Sequence, residues 1–502
     1  MNFPILSSLI LLPLVGSLFV LFIKDNASKN YQNTKYVALF VSFVNFLISI
    51  YLWYLFDNST SEFQFIENKQ WLKGFVNYTI GIDGISILFI LLTTLITPLC
   101  IISIINSITS RVKEFLIAIL VMESLMIGVF CSLDLIIFYL FFEGGLIPMF
   151  LIIGIWGGER RVYSAFKFFL FTLLGSILML IAIITIYWSA GTTDVTQLYE
   201  LGIDLKYQNL LWLAFFSSFA VKTPMWPVHT WLPDAHVQAP TAGSIILAGV
   251  LLKMGAYGFL RFSLPMLPQA SQYFAPMMLV LSVVAIIYGG YLALAQDDLK
   301  KLVAYSSISH MGVVTLGLFV FNLRGLEGGI LQMFNHGITT SALFLFVGLI
   351  YERTHTRSIN DYGGLMKLIP VYTTFFALFT LASMALPGTN TFIGELLVLS
   401  GTFVDNKWFA AFAVMGAMLS AAYLLSMFKN VALGTVTNTN LTNIEDVNAR
   451  ELLAIISLAF FVIWIGLYPS PFLNLMHVSV EHLLLQAGSM PEVMQEAMVN
   501  EY

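Results

Sequence analysis

The sequence predicts an all-α membrane protein with fourteen transmembrane helices, and three observations lead to this fold class. First, 58% of the 502 residues are hydrophobic and only 10% are charged, whereas roughly a quarter of a soluble domain is charged. Second, apolar stretches of about 20 residues, enough to cross a bilayer core of about 30 Å, recur along the whole chain. Third, prolines and glycines fall inside these stretches, which membrane helices tolerate when the freed backbone groups face protein or water.

The apolar stretches define the predicted spans in chain order. They lie near residues 4–23, 36–55, 84–105, 114–131, 133–155, 164–188, 208–225, 240–262, 272–295, 299–320, 325–351, 368–402, 407–432 and 452–475. The first is interpreted as a retained span, because it lacks the basic start and small-residue cleavage site of a signal peptide.

The basic residues predict the orientation. Fifteen lysines and arginines lie in connections that follow odd-numbered spans, and six lie in the opposite loops: Lys69, Lys73, Lys206, Arg261, Arg324 and Lys407. Positive charge concentrates on the cytoplasmic side, so both termini are expected to face the periplasm or the intermembrane space. The remaining two, Lys222 and Lys253, fall inside spans.

Composition also excludes several classes of function. The net charge of -5 offers no basic face for nucleic acid. Cys100 and Cys131 lie in apolar runs, which favours buried small hydrophobes over a disulfide or a metal site. The longest polar connections, 56–82, 189–207 and 433–451, are too short for a soluble catalytic module. We therefore expect no cofactor and no metal in this chain.

Seven ionisable residues interrupt the apolar spans, although a charge at mid-membrane costs about 2.5–3.5 kcal/mol on insertion scales. In chain order they are Glu123, Glu143, Lys222, Lys253, His310, His336 and Glu395. Each can hold or release a proton, so the series is typical of a proton relay. The alternative, that they only brace the helices, is less favoured because Ser, Thr and Asn supply such contacts more cheaply.

Two of the spans are predicted to be broken. Span 7 contains Lys222-Thr223-Pro224 and span 12 contains Leu386-Pro387-Gly388, and a proline inside a helix removes a hydrogen bond and clashes with the preceding turn. Interrupted helices in corresponding places of two halves are typical of inverted-repeat transporters, although accidental kinks are the alternative. The sequence thus divides into three spans (1–113), a repeat of spans 4–8 (114–262), an inverted repeat of spans 9–13 (272–432), and span 14 with an amphipathic tail (433–502).

Several sequence motifs occur in or beside the predicted spans. They are Gly81-Ile82-Asp83-Gly84-Ile85-Ser86, Phe142-Glu143-Gly144 with Pro148, the long stretch from Phe219 to Gly249, Asp298-Leu299-Lys300-Lys301, Ala304-Tyr305-Ser306-Ser307 with His310-Met311-Gly312, and Phe392-Ile393-Gly394-Glu395. Together they resemble one family, the antiporter-like membrane subunits of NADH:quinone oxidoreductase (respiratory complex I), subunit M or 4 type. The acidic Glu395 resembles subunit M, since the sibling subunits L/5 and N/2 and the related antiporter subunits usually have lysine there. One departure is Gly144-Gly145, where the family pattern has a larger residue after the glutamate.

The resemblance implies roles for these residues and for partners. Glu143 and Lys222 would form the input pair, Lys253 the central lysine and Glu395 the exit carboxylate, with Glu123, His310 and His336 as auxiliary relay groups. NADH, FMN, iron–sulfur clusters and quinone would belong to partner subunits, with L/5 and N/2 type neighbours in a bacterial or mitochondrial inner membrane. The chain would be an enzyme only as part of that complex.

Three other functions remain open from the residues alone. A subunit of a multi-subunit sodium/proton antiporter would differ in its ion and driving force. A structural membrane subunit would use the charges only to brace the bundle. A metabolite carrier would need a wide polar lining, of which the sequence gives no sign.

Overall fold

The computed structural model of this protein describes residues 3–25, 31–72, 76–105, 107–436, 438, 441 and 444–488. The first part of the chain contains α1 (Ile5–Phe22), α2 (Gln32–Leu55), strands β1 (Gln64–Leu72) and β2 (Val76–Ile82), α3 (Gly84–Ile104), α4 (Val112–Cys131), α5 (Leu135–Gly144), α6 (Leu146–Trp156), α7 (Arg161–Ala190), α8 (Val195–Leu201), α9 (Leu205–Lys222) and α10 (Trp231–Gln238).

The second part begins with a helix of mixed geometry, here called the span 8 helix. It consists of α11 (Thr241–Ile246), a π segment (Leu247–Leu251), α12 (Leu252–Gly258), a second π segment (Phe259–Ser263) and α13 (Leu264–Met266). It is followed by α14 (Pro268–Leu294), α15 (Leu299–Leu318), α16 (Leu323–Thr354), a 3-10 turn (Ile359–Asp361), α17 (Leu365–Leu368), α18 (Pro370–Ser383), α19 (Asn390–Asp405), α20 (Lys407–Ala432), α21 (Ala449–Leu467) and α22 (Ser470–Gln486).

Eleven helical segments of the described residues are long and apolar enough to cross a membrane. They are α1, α2, α3, α4, α5 with α6, α7, the span 8 helix, α14, α16, α20 and α21. The chain is therefore a multi-pass membrane protein. The other predicted spans coincide with α9 and α15, whose polar residues lower their hydropathy, and with α18 and α19, which are two short helices. The count of fourteen, the two repeats, the division into segments and the side of the termini stay predictions.

Three of these segments form the centre of the bundle. The most apolar windows of α3, the span 8 helix and α16 are completely buried, whereas those of α2 and α20 are only one-third buried. The peripheral helices expose side chains such as Phe40 and Met418, as expected where lipid is the solvent. Two of the three central helices carry residues of the predicted relay.

The prediction of a purely helical fold was wrong for the connection 56–82. There β1 and β2 pair antiparallel, from Gln64 opposite Ile82 to Leu72 opposite Val76. Apolar residues occupy every second position of β2, from Val76 to Ile82, and this period of two favours a strand with one buried face. Ile80 and Ile82 are completely buried, so the hairpin packs against the bundle.

Two boundaries also differ from the predictions. The predicted span 452–475 ends at Leu467, because Pro469 cannot continue the helix and α22 starts anew at Ser470. Helix α22 then lies across α3, α13 and α16, and the tail beyond residue 488 lies outside the described residues. Arg261 was predicted in a loop, but it lies inside the second π segment and is buried.

The two predicted breaks are present, and they resemble each other. Helix α9 ends at Lys222, and the Met225 N–H reaches back five residues to the Ala220 carbonyl at 2.9 Å. Helix α18 ends at Ser383, and the Leu386 N–H reaches the Leu381 carbonyl, also five residues back, at 3.1 Å.

A second parallel concerns two aspartates that cap helices. The Asp134 carboxylate caps α5 and its backbone bridges to Asp194, while Asp298 caps α15 and bridges to Ser358. Together with the matching breaks, this supports the inverted repeat.

Candidate functional site

Glu143 and Lys222 lie near each other at two helix ends. Glu143 is the second-last residue of α5, and Gly145 separates α5 from α6. Lys222 is the last residue of α9 and is 2% exposed, with its Nζ 4.7 Å from the centre of the Phe142 ring. Phe142, whose ring Lys222 Nζ approaches, is the residue next to Glu143. Among the described residues, no hydrogen-bond acceptor lies within reach of Lys222 Nζ, so this amine is not fixed by a direct ion pair.

The end of α9 touches the span 8 helix because a glycine allows the two backbones to approach. A Cβ at Gly255 would lie 2.7 Å from the Phe219 carbonyl oxygen and 2.8 Å from the Thr223 nitrogen. Gly255 is two residues after Lys253 in chain order. The break that follows Lys222 therefore lies against the helix that carries Lys253.

Lys253 is completely buried and binds the next residue of the predicted relay. Its Nζ lies 2.8 Å from Nδ1 of His336 on α16, and it also donates a hydrogen bond to the Ala248 carbonyl. Lys253 lies in α12, the short α-helical stretch between the two π segments. Segments of π-helix are rare and frequently occur at functional sites. The sequence analysis did not predict them.

The contact between Lys253 and His336 depends on a close crossing of the span 8 helix and α16. A Cβ at Gly337 would lie 2.9 Å from the Gly249 carbonyl oxygen and 2.7 Å from the Leu92 side chain. Ser341 donates to the Ile245 carbonyl at 3.3 Å and ties the same crossing. Only a residue without a side chain fits at position 337.

We expect Gly337→Ala to separate the two helices and lower proton transfer. Overpacking a tight core typically costs about 1–3 kcal/mol, and here the displaced backbone carries His336. Thermal unfolding and proton pumping of the assembled complex would measure both effects. Gly154→Ala is the matched control, because its Cβ would meet only Ala165 at 3.6 Å. Equal behaviour of the two variants would contradict the importance of the crossing.

The relay continues from α16 to α15 and α19. The rings of His336 and His310 have their centroids 5.8 Å apart. His310 Nδ1 lies 3.2 Å from Oε1 of Glu395, and the Gln332 amide donates to the same oxygen at 3.3 Å. Four predicted residues, Lys253, His336, His310 and Glu395, thus follow one another in space.

Glu123 does not join this line. It is completely buried in α4, and Asn45 of α2 donates to its Oε1 at 2.9 Å. Its other oxygen has no hydrogen-bond partner among the described residues. The structure thus places Glu123 beside the N-terminal helices, in a separate polar contact.

Two further buried residues, His236 and Lys300, were not predicted as part of the site. His236 of α10 is completely buried, and its ring stacks on Phe344 with centroids 4.5 Å apart. Neither ring nitrogen has a hydrogen-bond partner among the described residues. The motif Pro233-Asp234-Ala235-His236 lies between the predicted spans 208–225 and 240–262. It was therefore assigned to a connection, where a buried histidine was not expected.

Lys300 links this region to the outside of the bundle. It is 6% exposed and donates to the Ala239 carbonyl at 2.5 Å. It also lines an open cavity of about 510 Å³ whose wall includes Arg160, Gln238, Thr241 and Arg357. The Ala239 carbonyl that Lys300 binds lies at the end of α10, three residues after His236, so the cavity lies beside the end of the helix that carries His236.

No metal centre is apparent in the described part of the chain, where no three His, Cys, Asp or Glu side chains are grouped to hold an ion. Cys100 and Cys131 are both free and buried. The site can therefore be described through its own titratable groups.

Comparison with known proteins gives consistent matches. The family model described as "NADH:quinone oxidoreductase/Mrp antiporter, TM" matches residues 132–420. The chain is 50% identical over 481 residues to NADH-ubiquinone oxidoreductase chain 4 of Marchantia polymorpha, covering 95% of this chain and 97% of the relative. It is 52% identical over 466 residues to NADH-quinone oxidoreductase subunit M of Rhodobacter capsulatus, covering 90% and 91%.

Solved structures match over nearly the same length. A chain of respiratory complex I from Thermus thermophilus with bound NADH superimposes with a TM-score of 0.88 at 30% identity, covering 96% of this chain and 99% of that chain. A chain of the archaeal membrane-bound sulfane sulfur reductase superimposes with a TM-score of 0.83 at 22% identity, covering 94% and 77%. The second similarity concerns the fold alone.

Proposed function

Because the chain belongs to the NADH:quinone oxidoreductase and Mrp antiporter family of membrane subunits, we propose that it translocates protons as the subunit M or chain 4 of a respiratory complex I. The relatives that match over nearly the whole chain are named NADH-quinone or NADH-ubiquinone oxidoreductase subunits, which favours this function over a sodium/proton antiporter. The chain lies in an inner membrane with both termini on the periplasmic or intermembrane side. Its neighbours are membrane subunits of the L/5 and N/2 types.

One observation carries the proposal: four buried titratable groups follow one another across the bundle, with a gap between the two histidine rings that one water molecule could bridge. Lys253 contacts His336, His336 faces His310, and His310 contacts Glu395. A buried lysine or histidine without this purpose would be costly. Groups within hydrogen-bond distance, or one water molecule apart, can pass a proton to one another.

Glu143 and Lys222 would act as the switch at the start of the line. A charge that crosses 100 mV costs about 2.3 kcal/mol, and one pKa unit corresponds to about 1.36 kcal/mol. The pair must therefore change proton affinity by roughly two pKa units per 100 mV, which charges can do at low effective dielectric. Since Lys222 Nζ has no hydrogen-bond acceptor in the described part of the chain, a small movement of Glu143 would change its electrostatic surroundings.

Protons would reach the line from the cavity beside Lys300, with His236 between that cavity and Lys253. Buried polar groups normally have a hydrogen-bond partner, and no described residue provides one for the His236 ring nitrogens. Water from the cavity would fill this role. Electron transfer belongs to partner subunits, which would hold NADH, FMN, iron–sulfur clusters and quinone. Movement of charge in those subunits would drive the Glu143–Lys222 switch.

Removing Glu395 at one end of the line, or His236 between the cavity and the other end, is expected to stop pumping. Glu395→Gln removes the carboxylate that contacts His310, and His236→Phe removes the ring nitrogens but keeps a ring beside Phe344. Each should lower coupled proton pumping at least about tenfold, a loss of about 1.4 kcal/mol in transition-state stabilisation. Proton uptake by membrane vesicles driven by NADH would measure it.

The matched control lies on the same helix as Glu395. Asp405 is exposed at the end of α19, so Asp405→Asn should pump at the rate of the unchanged protein. Wild-type pumping in Glu395→Gln would remove the exit carboxylate from the mechanism. Wild-type pumping in both Glu395→Gln and His236→Phe would favour a structural subunit.

A further inference from the structure

A second buried polar cluster lies on the helix that carries Lys253, outside the line just described. Its centre is Arg261, 6% exposed, in the second π segment. The guanidinium donates through Nη2 to Asp83 Oδ1 at 2.6 Å and to Ser86 Oγ at 3.0 Å, and through Nε to the Tyr257 hydroxyl at 3.1 Å. We call Arg261, Asp83, Ser86 and Tyr257 the arginine cluster.

The arginine cluster joins several elements and satisfies its own polar groups. Asp83 Oδ1 also accepts from the N–H groups of Ile85 and Ser86 and so caps α3. The Tyr257 hydroxyl donates to the Phe130 carbonyl of α4 at 3.0 Å, and Tyr199 of α8 donates to the Arg261 carbonyl at 2.7 Å. Additional hydrogen bonds help a buried ion pair to offset its desolvation cost, and here they connect the pair to α3, α4 and α8.

The cluster lies close to Lys253 along the helix. Tyr257 is four residues after Lys253 and Arg261 is eight residues after it, and only α12 separates the two π segments. A π segment holds one extra residue in a turn, so its relaxation to α-helix would rotate everything on one side of it. The cluster attaches the second π segment to α3, one of the completely buried central helices.

We propose that Arg261, held by Asp83 and Tyr257, is a positioning residue that fixes the rotation of the span 8 helix and keeps Lys253 against His336. This inference rests on the proposed function, since it concerns the same proton path. Arg261 takes no part in proton transfer itself. The arginine cluster instead couples the start of α3 to the helix that carries Lys253.

The test compares three arginine variants in the assembled complex. Arg261→Gln should lower protons pumped per assembled complex at least about tenfold, because small misplacements of reacting groups carry losses of that size. Arg261→Lys, which keeps a charge for Asp83, should recover most of the loss. Arg324→Gln is the control, because Arg324 is exposed at the start of α16 and its change should have no effect.

Normalising to assembled complex separates positioning from a purely structural role, which would lower assembly but leave pumping per complex unchanged. If Arg261→Gln does not assemble, Tyr257→Phe decides, because it removes only one hydroxyl from the cluster. Wild-type pumping per complex in Tyr257→Phe, or in an assembled Arg261→Gln, would overturn the proposal. Absence of rescue by Arg261→Lys would overturn it as well.

Lys253→Met distinguishes the two proposals. If that variant pumps normally, the proposed function fails. If it does not pump while Arg261→Gln does, only the positioning role fails.

Discussion

Lys253→Met is expected to abolish proton pumping while the complex still assembles. Methionine fills nearly the same space as lysine, so the packing around α12 should be kept. The variant removes the amine that lies 2.8 Å from His336 Nδ1, and proton transfer into the histidine pair then has no donor. Leaving His336 without this partner costs about 1–3 kcal/mol, which should lower the thermal stability without preventing assembly.

Pumping by vesicles and the rate of quinone reduction would be measured side by side. We expect pumping to fall at least about a hundredfold, within the range by which a positioned proton-transfer group accelerates reactions. Lys367→Met, at an exposed position in α17, should leave both rates unchanged. Normal pumping in Lys253→Met would show that protons do not pass through the central lysine.

Glu143→Gln is expected to abolish quinone reduction coupled to pumping, and to leave NADH oxidation by artificial acceptors intact. Glutamine keeps the shape of the side chain and its ability to form hydrogen bonds. It removes the charge that acts on Lys222 across the space between α5 and α9. Without that charge the switch has no second state, so coupled turnover should fall at least about tenfold, or about 1.4 kcal/mol.

Two further variants make this result specific. Glu143→Asp keeps the charge on a shorter side chain and should restore part of the coupled rate. Glu200→Gln, at an exposed position in α8, should behave like the unchanged protein. Full coupled turnover in Glu143→Gln would defeat the assignment of Glu143 and Lys222 as the input pair.

The broken helices show which backbone features the local sequence can predict. Pro224 and Pro387 cannot continue a helix, and α9 and α18 end at Lys222 and Ser383, close to these prolines. The π segments of the span 8 helix lie in a stretch with no proline between Pro240 and Pro265. They depend on packing against neighbouring helices, which no local pattern reveals.

The hairpin and α22 show the limits of the hydropathy pattern. A window of about 20 residues detects spans and passes over strands of seven to nine residues such as β1 and β2. Likewise, it merged the end of α21 with the start of α22, since both are apolar on one face. The available signals were the alternation of apolar residues in β2 for the hairpin and Pro469 for the start of α22.

The sequence by itself determined the membrane class, the family and the types of residue that hold protons, because charge in hydrocarbon is costly and stands out in an apolar chain. Only the tertiary structure decided which of them meet: it placed Lys253, His336, His310 and Glu395 in one line and left Glu123 beside Asn45. It also buried His236 and Arg261, which had been assigned to connections between spans. The physical reason is that contacts between helices depend on crossings such as that at Gly249 and Gly337, and those involve residues far apart in the chain.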